Sequence, residues 1–214
     1  MIAIKTNTRS PKREIRRPAL EIRFHLVDGS SKTFIQPDTE TAEAIRQRSN
    51  SFNLFNQSRI VVADEYSKSV FVCAQINRID LVFRGPGFST FLPDHLDVVE
   101  LTEAKFHQHV PVNDPRLLQR RAHRLKVGDL MVSFLHLRMM GGYHVYLVRE
   151  AVAKLPAESQ SFMQRFLSKG TYGIRLREGG YGLLNLRNLI GYTVYPGVPE
   201  LPSDTWMAQP KATR

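Results

Sequence analysis

Leu20-Glu-Ile-Arg-Phe-His-Leu-Val27 alternates apolar and polar side chains with period two, Asp28-Gly29-Ser30-Ser31 supplies a turn, and Thr33-Phe34-Ile35 resumes the alternation. In an extended chain successive side chains point to opposite faces, so this stretch predicts a β-hairpin with one buried face. Working outward, Pro37-Asp38-Thr39-Glu40 opens a helix that runs to about Arg48. Residues 59–63 and 69–73 read as strands around a turn at 64–68. Ile76, Ile79, Leu81 and Phe83 continue into a further strand that stops at Gly85-Pro86-Gly87.

The second half repeats this order. Residues 129–137 form a strand, Gly141-Gly142 a turn and 143–148 a strand. A helix follows over 155–167, closed at Gly170, where glycine accepts the left-handed cap conformation. Strands at 172–176 and 181–185 flank Glu178-Gly179-Gly180, and a last strand at 192–195 meets Pro196-Gly197. A shift of 111 residues aligns Phe24-His25-Leu26 with Leu135-His136-Leu137 and Phe55 with Phe166. A shift of 110 aligns Ile76 with Leu186 and Ile79 with Leu189. Tandem duplication and the independent convergence of two hairpin-rich units both give this order.

The expected fold class is therefore α+β and β-rich: two small barrel-like or bent antiparallel sheet units, each with one helix. The expected organisation is a basic arm at 1–19, an acidic unit at 20–87, a linker at 88–126 carrying a basic helix at 115–126, a basic unit at 127–198 and a tail at 199–214. One cysteine forms no intramolecular disulfide, and no run approaches the roughly 18 apolar residues of a membrane span, which points to a soluble, cytoplasmic chain. The start shows no apolar signal-peptide core.

Thirty Lys and Arg against twenty Asp and Glu give the 214 residues a net charge of +10. The excess is confined. Residues 1–20 carry Lys5, Arg9, Lys12, Arg13, Arg16 and Arg17 against Glu14, and residues 105–126 carry Lys105, Arg116, Arg120, Arg121, Arg124 and Lys126 against Asp114. The intervening body is acidic and the last body mildly basic. A polar, proline-bearing arm binds phosphate backbones by releasing counterions, and it also serves solubility alone. Asn113-Asp114-Pro115 is a helix start, after which Arg116, Arg120 and Arg124 recur at four-residue spacing on one ridge. Such a ridge suits phosphates or acidic side chains, including those of the chain's own acidic body.

Chemistry beyond charge is sparse. His107-Gln-His109 places two imidazoles on one side of an extended segment near His123, but the carboxylates nearby have no ligand spacing and the basic surroundings oppose a cation, so no metal and no cofactor are expected. His25 and His136 sit inside apolar strands and read as half-buried structural residues. Cys73, apolar on both sides, reads as a small buried side chain. Gly179-Gly180-Tyr181-Gly182 lacks the Lys-Ser/Thr of a phosphate loop and reads as a hairpin turn. No paired carboxylates or nucleophile motif supports an enzyme. Tyr172, Tyr181, Tyr192 and Tyr195 interleave with Arg175, Arg177 and Arg187, a combination that grips single-stranded nucleic acid when rings and cations share a face, and that otherwise is an amphipathic strand with solvated arginines.

Gln119-Arg120-Arg121-Ala-His-Arg124 ahead of a barrel-like unit resembles the Arg-x-x-x-Arg entry motif of PilZ domains, over about residues 116–200. The resemblance implies cyclic di-GMP binding through Arg120 and Arg124, while the family's Asp-x-Ser-x-x-Gly turn is absent at about 145–151. The expected function is a non-enzymatic binding protein that contacts nucleic acid or an acidic protein surface through Arg16, Arg17, Arg116, Arg120, Arg121, Arg124, Arg175, Arg177 and Arg187. The alternatives are a structural adaptor that self-associates as a homo-oligomer by pairing its acidic and basic units, or a degenerate PilZ-like regulator.

Overall fold

The computed structural model describes residues 19–49, 54–64, 66–84, 98–110, 130–152, 169–195 and 206. The predicted helices over 115–126 and 155–167 and the arm up to residue 18 lie outside these residues. The described chain runs β1 (Leu20–Leu26), β2 (Ser31–Gln36), α1 (Thr39–Ser49), β3 (Arg59–Ala63), β4 (Lys68–Val72), β5 (Ile76–Phe83), β6 (Val98–Leu101), α2 (Glu103–His109), β7 (Leu130–Met139), β8 (His144–Val152), β9 (Thr171–Arg175), β10 (Tyr181–Asn185) and β11 (Leu189–Tyr195). Short 3-10 turns at Cys73–Gln75 and Leu186–Asn188 lead into β5 and β11.

The fold is α+β and strand-rich. One mixed sheet of nine strands has the order β11-β7-β8-β6-β9-β10-β5-β1-β2, and β3 and β4 form a separate two-stranded sheet. Every pairing in the large sheet is antiparallel except that of β6 with β9. The expectation of barrel-like units is corrected here, because among the described residues no barrel closes. The physical reason is β10, which hydrogen-bonds to β5 of the first half from Tyr181 opposite Leu81 to Leu184 opposite Arg78. The bonds that would close a unit on itself are made between the halves instead.

Two elements fall in the span read as linker. β6 is only four residues long, and its Val-Val-Glu-Leu does not alternate. Helix α2 starts at Thr102, whose hydroxyl accepts from the Lys105 backbone N–H at 3.3 Å, and it buries Phe106. His107 and His109 are therefore helical rather than extended, and at about 100° per residue they point about 160° apart, which corrects their expected shared side.

Among the described residues two main apolar clusters form the core. The first gathers Leu20, Ile22, Phe24, Ala42, Phe55, Cys73, Ile79 and Leu81 with Tyr181 and Leu183 of the second half. The second gathers Leu135, Leu137, Met139, Leu147, Tyr172, Ile174 and Leu184. β10 thus feeds both cores from opposite faces, Leu183 into one and Leu184 into the other.

The registers of the halves coincide at a spacing of 113 residues. His25 faces Ser31 in the first hairpin and Arg138 faces His144 in the second. Leu26 faces Ile76, and Met139 faces Leu189; each ladder then skips one residue, Asn77 in one and Ile190 in the other. The 3-10 turns and the bounds of β4 and β10 differ by the same 113. The sequence matches at 110 and 111 are therefore not register equivalents: the residue in the position of His25 is Arg138, not His136. The halves differ in where the second hairpin goes. β9–β10 is built into the large sheet, whereas β3–β4 folds over its own half, with Phe71 stacked on Phe24 at 4.3 Å.

Candidate functional site

Of the nine arginines expected to form a binding surface, Arg16, Arg17, Arg116, Arg120, Arg121 and Arg124 lie outside the described residues, and with Arg120 and Arg124 the PilZ-like motif does too. Arg175 ends β9, half-buried and opposite Tyr181. Arg177 is exposed in the turn that follows rather than on the strand, so it does not share a strand face with Arg175. Arg187 is exposed in the 3-10 turn beyond the other end of β10. At about 3.3 Å per residue the length of β10 separates it from the other two by roughly 15 Å or more.

The tyrosines expected beside these arginines are not a stacking platform. Tyr172 and Tyr181 are each 4% exposed and belong to the two cores. The Tyr181 hydroxyl meets Ser49 Oγ at 2.8 Å, and burial pushes its pKa up to about 12. Tyr192 and Tyr195 are half-buried against the second core and the α2 cluster. Nucleic-acid bases need exposed rings, so the described β face does not offer the expected grip.

What the sheet does hold is charge that neutralises itself. Arg78 is 4% exposed on β5, and its guanidinium donates to Asp80 Oδ1 at 2.5 Å and to both oxygens of Glu100 on β6, at 2.5 and 2.9 Å. Asp80 Oδ2 lies 2.9 Å from His25 Nε2 on β1. Burial works to raise the Asp80 carboxyl, but the His25 hydrogen bond and the adjacent Arg78 charge outweigh it and hold the group below its ordinary value. Burial likewise works to lower Arg78, and Glu100 and Asp80 reverse it, leaving the guanidinium raised. The space for this network comes from Gly182 on β10, where a Cβ would lie 2.8 Å from Asp80 Oδ1 and 3.1 Å from Arg78 Nε. At the sheet surface, Arg23 and Arg84 both pair with Glu21 and with Glu178 of the second half. The ions therefore join the halves, since a buried charge is tolerated only with partners at hand.

Alternation along Ile76-Asn-Arg-Ile-Asp-Leu-Val-Phe83 hides this network, because Arg78 and Asp80 read as an outward face. In the structure all eight residues are buried. The signal available was the pair Arg78 and Asp80 at two-residue spacing, which puts opposite charges on one face of one strand.

A second cluster lies where α2 packs on β7 and β8. His136 Nε2 and His144 Nδ1 are 3.0 Å apart, and the His136 ring stacks on Tyr146 at 4.6 Å and 15°. Tyr146 donates its hydroxyl to Glu103 at 2.8 Å, and burial, helped by that bond, pushes its pKa up to about 12. His107 Nε2 is 3.8 Å from the same carboxylate, and His109 stacks on Phe134. Among the described residues no group of three or more His, Cys, Asp or Glu side chains converges to hold a metal. Cys73 is buried and burial raises its thiol, which opposes thiolate chemistry. No described helix is long and apolar enough to cross a membrane.

Comparison of the chain with protein-family models, with curated proteins and with solved structures finds no match.

Proposed function

We propose that the chain is a non-enzymatic binding protein, two duplicated β-rich halves fused into one scaffold, whose basic segments at 1–19 and 105–126 engage nucleic acid. The duplication reading is supported by the common spacing of 113 residues across two strand pairings, their skipped residues and the 3-10 turns that follow.

The binding reading is carried by one observation: most of the basic excess lies outside the described residues. Arg23, Arg78 and Arg84 all lie against carboxylates. The described residues hold fifteen Lys and Arg against eleven Asp and Glu, so more than half of the +10 belongs to the rest of the chain. A segment with an excess of cations over carboxylates gains from a polyanion, because each phosphate contact releases condensed counterions.

Fluorescence anisotropy with random single- and double-stranded oligonucleotides at two salt concentrations tests this. The expected result is binding that weakens with salt, lost largely in Arg116→Glu/Arg120→Glu/Arg124→Glu and partly in Arg16→Glu/Arg17→Glu. Arg177→Glu or Arg187→Glu, at opposite ends of β10, costs less. Absence of binding at low salt, or binding without a salt slope, overturns the reading.

A further inference from the structure

The first half's hairpin β3–β4 leaves an apolar face in water. Val61, Val70 and Val72 are 45%, 52% and 54% exposed, and they share one face, since Val61 faces Val70 and Arg59 faces Val72. The opposite face carries Ile60, Val62 and Phe71, which pack on the first core. The exposed face is thus apolar at three neighbouring positions, with Arg59 and Lys68 at its margins.

The second half shows what covers such a face. The register equivalents of Lys68, Val70 and Val72 on β4 are Tyr181, Leu183 and Asn185 on β10, and these three are at most 4% exposed. They are covered by the other half: Tyr181 and Leu183 enter the first core, and the Asn185 amide donates to the Cys73 and Ile76 carbonyls. The contact is made by adding β10 to the edge of β5.

Exchanging the halves in this relation, 113 residues back for β10 and 113 forward for β5, sets β4 against the edge of β11. Among the described residues both edges are open: β4 pairs only with β3, and β11 is the terminal strand of the nine-stranded sheet, pairing only with β7. Within one chain the two strands are not paired with each other. A long edge beside exposed aliphatic side chains is a template for strand addition.

We propose that a second copy of this chain supplies the missing neighbour, with β4 of one copy adding antiparallel to β11 of the next. The template gives the register: Lys68 opposite Val194, Ser69 opposite Thr193, Val70 opposite Tyr192 and Phe71 opposite Gly191. Each copy then has one donor edge and one acceptor edge, so the contact is head-to-tail and either closes a ring or extends. The inference rests on the equivalence of the halves and not on nucleic-acid binding.

The test uses the full chain without nucleic acid, in 1 M salt, where screening within about 3 Å suppresses pairing by surface charge. Sedimentation velocity is expected to show mass rising with concentration. Hydrogen exchange is expected to show protection rising with concentration in 68–72 and 190–195. Val70→Lys/Val72→Lys, at exposed positions that keep the fold by circular dichroism, is expected to weaken association at least tenfold. In mixtures of two tagged copies, Val70→Cys on one and Tyr192→Cys on the other are expected to form the crossed disulfide, because directly opposed antiparallel residues lie within disulfide range. A monomer at every concentration overturns the contact, as does association whose protection falls elsewhere or which ignores the two lysines. The matched registers within the chain would stand in either case, so failure of the contact is separable from failure of the duplication reading.

Discussion

Gly141 and Gly142 are neighbours in one turn and differ in what a methyl group would meet. Both have positive φ, +68° and +73°, a conformation that costs an L-residue roughly 1 kcal/mol or more. A Cβ on Gly142 meets nothing within 4 Å, while one on Gly141 would lie 1.6 Å from the Val27 carbonyl oxygen in the turn between β1 and β2. The hairpin turns of the two halves touch here, and the Asn77 amide donates to the Met140 carbonyl at 2.8 Å beside them. Gly142→Ala is therefore expected to lower stability by about 1 kcal/mol and Gly141→Ala by several kcal/mol more, measured as a matched pair in urea. Equal losses would place the turns out of contact. The glycine pair was legible as a turn, but the contact was not, since only the fold sets Val27 against residue 141. For the same reason Arg78 and Asp80 read as solvated: alternation reports one strand's faces and cannot report that the fold brings Glu100 of β6 and His25 of β1 to the polar one.

At the scale of an element, α2 is held to the β7–β8 hairpin by Phe106 in its core and by Tyr146 reaching Glu103. Beneath it sit His136 and His144, with His136 Nε2 3.0 Å from His144 Nδ1. Burial lowers the pKa of His136, and the neighbouring His144, Arg138 and His107 lower it further, against an opposing pull from Glu103. A histidine whose folded pKa is depressed stays neutral in the native state while the unfolded chain takes up a proton near 6.5, so its stabilising effect is complete above about 6.5 and fades as the pH falls below it. The melting temperature is expected to drop between pH 7 and 5, and His136→Phe, which keeps the ring on Tyr146, is expected to flatten that slope. An unchanged slope in the variant would assign the pH dependence to other groups. The helix escaped sequence reading because seven residues hold too few turns to show a period, and its one clear mark was Thr102 ahead of Glu103.

At the scale of the molecule, most elements were legible, and their assembly was not. Hairpins announce themselves through alternation and turn residues within about a dozen positions, whereas the pairing of β10 with β5 joins residues about a hundred apart and leaves no local trace. That pairing decides whether the chain is two domains or one. Leu183 belongs to the second half by sequence and to the first core by contact, at 3% exposure. Its truncation therefore separates two cases. If the halves unfold as one unit, Leu183→Ala, which removes about 2–5 kcal/mol of transfer and cavity free energy, lowers the protection of amides in β1, β5 and β7 together. If the halves open independently, β1 and β5 lose protection while β7 keeps it. The ion pairs of Arg23 and Arg84 with Glu178 and of Arg78 with Glu100 also cross between the halves or into the β6 bridge, and they reinforce the same coupling. Native-state hydrogen exchange is accordingly expected to show one cooperative loss across all three strands, and retention of β7 protection would make the sheet continuous in geometry but divided in energy.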